Sequence, residues 1–233
     1  MIYTNKEYCL EVKGSMACFT RPEMKVERVS YDIITPSAAR AIFESIFWKP
    51  AIQWNITRIE VLNPIRWFSM KRNEIGSLMS PRSSGLFIED NRQQKSSLLL
   101  KDVCYRIFAE LEFIPIRNRA KEDMLKVPSK SSDENPGKYN AMFERRAKKG
   151  QCFNQPYLGC REFSADFTYI ENPVKGNGIP EDRDFGYMLY VQSAKPPVHL
   201  FKTKRFYFEV LFQNEASLLE QNQTAFKWTS NPI

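Results

Sequence analysis

The sequence predicts an α+β protein: a ferredoxin-like domain over residues 1–170, with the RRM-like split-βαβ order, then a small antiparallel β-rich domain over 171–233. Three observations lead there. Two-residue and helical periodicities follow one another as strand, helix, strand, excursion, strand, helix, strand. Both helical segments open on a capping residue followed by proline, Thr35-Pro36 and Asn135-Pro136. Hydrophobic residues make up 42% and charged residues 26% of 233 positions, the balance of a chain with a packed core.

The first strand is read over KEYCLEVKG, 6–14, from its alternation. After a basic segment, SAARAIFESIFW carries Ala39, Ile42, Phe43 and Ile46 on one helical face, and Lys49-Pro50 ends it, because a residue before proline avoids the helical region. AIQWNITRIEVL follows as a strand with Ile52, Trp54, Ile56 and Arg58 on a shared face. Residues 66–97 are polar and irregular and read as a hairpin or long excursion. LLLKDVCYRIFAELEFIP is a long strand in which Val103, Tyr105, Ile107 and Ala109 alternate with polar neighbours. KEDMLKVPSKSSDENPG, 121–137, has the composition of a mobile linker. The second helix runs from Pro136 to a stop at Gly150, and YLGCREFSADFTYI closes the unit as a strand. Beyond a loop at 171–185, GYMLYVQ and HLFKTKRFYFEVLF read as the strands of the second domain.

Composition excludes several chemistries. No apolar run approaches 18 residues and no leader pattern opens the chain, so a cytoplasmic protein without a membrane span is expected. The five cysteines (Cys9, Cys18, Cys104, Cys152 and Cys160) are scattered, without a Cys-x-x-Cys pair, and read as reduced structural thiols rather than zinc ligands or a disulfide framework. His199 is the sole histidine, which excludes multi-histidine metal sites and leaves little room for a Ser-His-Asp hydrolase. There is no P-loop, dinucleotide fingerprint, nucleophile elbow or paired-carboxylate signature, so neither cofactor nor metal is expected. Asp102, Glu110 and Glu112 share a strand, and their spacing equally describes its solvent side.

The net charge of +7 favours a polyanionic partner. Three stretches concentrate it. TRPEMKVERVSY holds Arg21, Lys25 and Arg28 beside Tyr31; RWFSMKR interleaves Arg66, Lys71 and Arg72 with Trp67 and Phe68; the second helix carries Lys138, Arg145, Arg146, Lys148 and Lys149. Cations neutralise phosphates and aromatic rings stack on unpaired bases, so the mixture suits RNA with a single-stranded flank. Each stretch has an ordinary reading too. Glu23, Glu27 and Glu144 are interspersed as on a solvated face, and Trp67 and Phe68 fit a core.

The segments FTRPEMKVERVSYDIITPSAARAIFESIFWKPAIQW, VLNPI, KRNE, LLLKDVCYRIFAELEF, NPGKYNAMFERRAKKGQCFNQPYLGCREFSADF and GYMLY span roughly residues 8–190. They resemble the Cas-five family, d variant, the subtype I-C or Dvulg member of the RAMP superfamily. The resemblance implies metal-independent cleavage of precursor CRISPR RNA at the repeat hairpin. The 2′-hydroxyl attacks the adjacent phosphate, leaving a 2′,3′-cyclic phosphate and a 5′-hydroxyl. It further implies that the subunit stays on the 5′ handle in the type I-C surveillance complex, beside the backbone and large subunits.

The family pattern places a tyrosine before the Trp-Lys-Pro that ends the first helix, and a Lys-His pair after the glycine opening the second. Here those positions are Phe47 and Gly137-Lys138-Tyr139. The resemblance assigns Lys138 to stabilising the doubly charged phosphorane. Tyr139 in the histidine position is a weak base, since an ordinary phenol is ionised in about one molecule in a thousand at pH 7, unless Lys138 lowers its pKa. It also falls at helical spacing with Met142 and Phe143, which suits packing. Phe47 and Tyr31, a second hydroxyl, complete the candidate catalytic set. The candidate RNA-binding set is Arg21, Lys25, Arg28, Arg145, Arg146 and Arg161. The last 30 or so residues do not align with the family's carboxy-terminal strand.

Overall fold

The computed structural model describes residues 6–78, 80–82, 85–116, 119, 134–174, 176–180, 183–192 and 205–212. His199, most of the 121–137 linker and the last 21 residues lie outside the described residues. The elements are β1 (Glu7–Ala17), α1 (Pro36–Ile46), β2 (Ile52–Val61), β3 (Trp67–Ile75), the single-turn α2 (Ile88–Asn91), β4 (Arg92–Phe113), α3 (Pro136–Lys148), β5 (Asp166–Ile170), β6 (Arg183–Gln192) and β7 (Arg205–Phe212). The protein is a mixed helix-and-strand structure built on an antiparallel sheet of order β2-β4-β1-β5, and β6 pairs with β7 separately.

The 22-residue β4 is the spine. On one edge it pairs with β1, from Ala17 opposite Leu100 to Glu7 opposite Glu110. Its other partners divide it: β2 takes the far half, ending with Ile52 opposite Phe113, and β3 takes the near half, from Trp67 opposite Leu100 to Ile75 opposite Arg92. The excursion is therefore a hairpin arm, and β4 begins six residues before the apolar run that announced it. No residue of β3 is buried, and Trp67 and Phe68 are each 39% exposed, so neither belongs to the core.

Both helices pack on one face of the sheet. Ala39, Ile42, Phe43 and Ile46 of α1 and Tyr139, Phe143 and Ala147 of α3 meet Tyr8, Leu10 and Val12 of β1, Trp54 of β2, and Ile107, Ala109 and Leu111 of β4. Trp54 is the hub, with ring centroids 4.5 Å from Phe143, 5.0 Å from Phe43 and 5.9 Å from Tyr8. Its buried indole N–H donates to the Phe47 carbonyl at 2.9 Å, which removes the cost of burying that group. Tyr8 donates to Asn140 at 2.6 Å and so ties α3 to β1. Met188 of β6 is buried in this same core.

Three details depart from the sequence expectation. A bulge between Ile56 and Arg58 turns Arg58 to the opposite face, where its guanidinium lies over Phe108 and pairs with Glu60, and Ile59 takes the core position. α1 ends at Ile46, two residues before the expected stop, with Phe47 already extended as the C-cap. Residues 157–165 form a tight loop rather than a strand. Its amides close on Phe163 and Cys160 carbonyls, and Gly159 sits at φ +83°.

Candidate functional site

The end of α1 and the start of α3 meet over the far end of β4. Thr35 caps α1 by accepting from the Ala38 amide, and Asn135 caps α3 by accepting from the Gly137 amide at 2.8 Å, each followed by proline. Phe47 is 1% exposed and packs against Tyr139 with centroids 6.2 Å apart; Tyr139 stacks on Phe113 at 6.1 Å. Arg146 covers the outer side of Phe47 at 5.4 Å and donates to the Ile46 carbonyl at 3.2 Å, which caps the end of α1. Lys138 is exposed in the first turn of α3 and makes no ion pair among the described residues. A cation there opposes the helix dipole, at a cost of about 0.3–1 kcal/mol.

Tyr139 has a different chemistry from the one a base needs. Its hydroxyl donates to Glu134 at 3.2 Å. Burial first, then the Glu134 carboxylate, push the phenol above its ordinary pKa, so the expected lowering by Lys138 does not occur. Glu134 in turn is held below the usual carboxylate range, chiefly by Arg119, which grips it with two N–H groups at 2.6 and 3.1 Å. Arg119 also donates to the Ile114 carbonyl at 3.0 Å and lies over Phe113. The Arg119–Glu134 pair joins the two ends of the linker segment, and Glu134 accepts from the Tyr139 hydroxyl. Sequence reasoning missed both, because nothing in a single chain pairs an arginine with a glutamate across a polar linker.

The remaining candidates gather elsewhere. Tyr31 is 2% exposed and receives the Arg21 guanidinium over its ring at 4.7 Å. It lies beside Phe19 and Leu98, whereas Tyr139 lies against Phe113. Along β4 that is roughly 50 Å at the rise of an extended strand. Tyr31 is therefore not part of the group around Lys138. Arg21 pairs with Asp32 at 3.0 Å, and Arg28 bridges Glu74 and Glu162, both at 3.2 Å. Arg72 and Lys95 join the same carboxylates, giving three cations on two anions. Lys25, Arg145 and Arg161 are exposed and carry no ion pair among the described residues. The predicted RNA-binding set thus divides: Arg21, Arg28 and Arg146 are engaged internally, and Lys25, Arg145 and Arg161 face solvent.

Among the described residues no three His, Cys, Asp or Glu side chains converge to hold a metal ion, and no helix is long and apolar enough to cross a membrane.

Comparison with known proteins identifies the class first. Among solved structures the fold matches a CRISPR-associated protein (TM-score 0.61, 23% identity, 91% of this chain and 90% of that one). It also matches a functionally uncharacterised protein of Streptococcus mutans (TM-score 0.59, 21% identity, 93% and 96%). The family model described as CRISPR-associated protein (Cas_Cas5) covers residues 7–226, which corrects the expectation that the last 30 or so residues fall outside the family pattern. The chain belongs to the Cas5d family. It is 47% identical over 199 residues to the CRISPR pre-crRNA endoribonuclease Cas5d of Mannheimia succiniciproducens, covering 78% of this chain and 82% of that protein. It is 44% identical over 181 residues to the protein of the same name from Thermus thermophilus, covering 78% and 71%.

Proposed function

We propose that this chain is an endoribonuclease that cuts precursor CRISPR RNA at the repeat hairpin without a metal ion and stays on the 5′ handle in a cytoplasmic type I-C surveillance complex, beside backbone and large subunits. The observation that carries the reading is the exposed ammonium of Lys138 in the first turn of α3, in a chain 47% identical to a pre-crRNA endoribonuclease. The order β2-β4-β1-β5, with α1 following β1 and α3 following β4, supports a ferredoxin-like domain. The β6–β7 pair is read as the small second unit, leaning on the first through Met188.

In this mechanism the RNA supplies its own nucleophile, the 2′-hydroxyl, and Lys138 stabilises charge on the equatorial oxygens of the phosphorane. Removing one such donor typically costs about 10²–10³ in rate. Arg145 and the other exposed cations hold flanking phosphates. Tyr139 acts as a packing partner that sets the start of α3, with its proton committed to Glu134. The general base of the family pattern is then missing, and general acid-base help is worth about 10²–10⁴-fold. That commitment, together with the absence of a hydroxyl at Phe47, favours a second reading: a handle-binding scaffold that cuts slowly or not at all.

Incubation of the protein with end-labelled repeat hairpins in EDTA distinguishes the two. Cleavage with a 2′,3′-cyclic phosphate and a 5′-hydroxyl supports the endoribonuclease. Tightly retained but intact RNA supports the scaffold. A protein that fails to retain hairpin RNA at low ionic strength contradicts both.

A further inference from the structure

Cys18 and Cys160 lie far apart in sequence but meet at the end of β1. The loop 157–164 is clipped there by a hydrogen bond from the Cys18 amide to the Leu158 carbonyl at 3.0 Å. Gly159 permits the contact. It sits at φ +83°, and a Cβ on it would stand 2.0 Å from the Cys18 carbonyl oxygen, so only glycine lets the two backbones approach so closely. The next residue directs its thiol at the same place, where Cys160 donates to the Cys18 carbonyl at 3.6 Å, while the Cys18 thiol donates to the Arg28 carbonyl at 3.7 Å. Both sulfurs also converge on the Thr20 hydroxyl, at 3.5 Å for Cys18 and 3.9 Å for Cys160. Cys18 is buried and Cys160 half-buried, so one thiol is reachable from solvent and the other waits behind it.

We infer that Cys18 and Cys160 form a thiol pair that closes to a disulfide on reaction with a low-molecular-weight disulfide, a modification site apart from the group around Lys138. Exposure assigns the roles: the half-buried Cys160 is met first and the buried Cys18 second. The electrostatics run the same way, with the neighbouring Cys18 thiol first, then Thr20 and Arg28, lowering Cys160 against burial and Glu162. Cys18 is raised by its Cys160 neighbour and by burial, opposed by Thr20 and Arg72. Burial pushes Cys9 up to about 12 and also raises Cys104.

Cys160 is the attacking thiolate. It displaces one thiolate from the small disulfide RSSR and forms a mixed disulfide, Cys160–S–SR. Cys18 then gives its proton to the released RS⁻ and attacks Cys160 Sγ, expelling the second RS⁻, which takes up the proton that Cys160 had lost to solvent. The two cysteines are oxidised by two electrons, and one RSSR is reduced to two RSH. The rate advantage of Cys160 is modest. A low pKa raises the thiolate fraction but lowers intrinsic nucleophilicity, so the two effects largely offset each other. Identity of the product is therefore the decisive readout.

The test treats the full-length reduced protein with oxidised glutathione, blocks remaining thiols and maps the disulfides by peptide mass. The expected product joins Cys18 to Cys160 and disappears on reduction. In Cys18→Ser the expected product is a glutathione mixed disulfide held at Cys160, with circular dichroism confirming the fold. The inference is overturned if folded protein forms mixed disulfides at Cys152 but no Cys18–Cys160 link. It is equally overturned if that link forms only in urea.

Discussion

Replacing Arg119 with alanine should destabilise the protein far more than loss of a surface ion pair. The Arg119 side chain is 2% exposed and that of Glu134 is 10% exposed. The guanidinium makes two N–H···O bonds to Glu134, at 2.6 and 3.1 Å, and one to the Ile114 carbonyl at 3.0 Å, while stacking on Phe113. Arg119→Ala leaves a carboxylate, 10% exposed, whose remaining side-chain donor among the described residues is the Tyr139 hydroxyl. Breaking one partner of a buried pair costs about 3–5 kcal/mol, a large share of the roughly 5–15 kcal/mol that holds a domain together. The double variant Arg119→Met with Glu134→Leu removes both charges together. It should lose less than Arg119→Ala alone, because no buried ion is left uncompensated. Urea unfolding followed by tryptophan fluorescence gives both values. A loss below about 1 kcal/mol in Arg119→Ala, the range of exposed pairs, would refute the reasoning.

Three further outcomes follow from the same geometry. Tyr139→His restores the base that the family pattern carries. It should raise single-turnover cleavage by at least about tenfold, with a pH dependence centred near 6.5; an unchanged rate would mean that the base is not limiting. Glu74, Glu134 and Glu144 are each held below the ordinary carboxylate range by their cationic partners, Lys95, Arg119 and Lys6 first among them. Their contribution to stability is complete above the unfolded carboxylate pKa and is lost as pH falls through the lower folded values. Unfolding midpoints should therefore drop on acidification, less steeply in Glu134→Gln. Phe143→Ala removes a fully buried ring from the Trp54 cluster and should cost about 3–5 kcal/mol in the same urea assay, against under 1 kcal/mol for Leu78→Ala, which is 97% exposed.

Much of the frame was legible because it rests on periodicity and punctuation. Thr35-Pro36 and Asn135-Pro136 marked both helix starts, and Ala39, Ile42, Phe43 and Ile46 form the buried stripe that their spacing announced. The bulge at Ile56/Arg58 was invisible, because one extra residue in a strand leaves no compositional trace but reverses every later side chain. The loop at 157–165 was misread for a related reason: its apolar Leu158 and Phe163 look like strand residues, whereas the positive φ of Gly159 breaks the strand. Of the candidates named from the family pattern, Tyr139 and Phe47 pack against each other, and Lys138, one residue before Tyr139 on the helix, is exposed. Tyr31 was grouped with them by residue type, and only the register of β4 separates it. Arg119 and Glu134 carried no local signal at all, since a buried ion pair is a property of two positions and of neither alone.

The central claim is that the Lys138 amine meets the scissile phosphate. Its most direct test compares single-turnover cleavage and equilibrium binding of the repeat hairpin in wild type, Lys138→Ala and Lys138→Arg. The account predicts a rate loss of about 10²–10³ in Lys138→Ala with affinity kept within a few-fold, and partial recovery in Lys138→Arg. Cleavage by Lys138→Ala at the wild-type rate would contradict it.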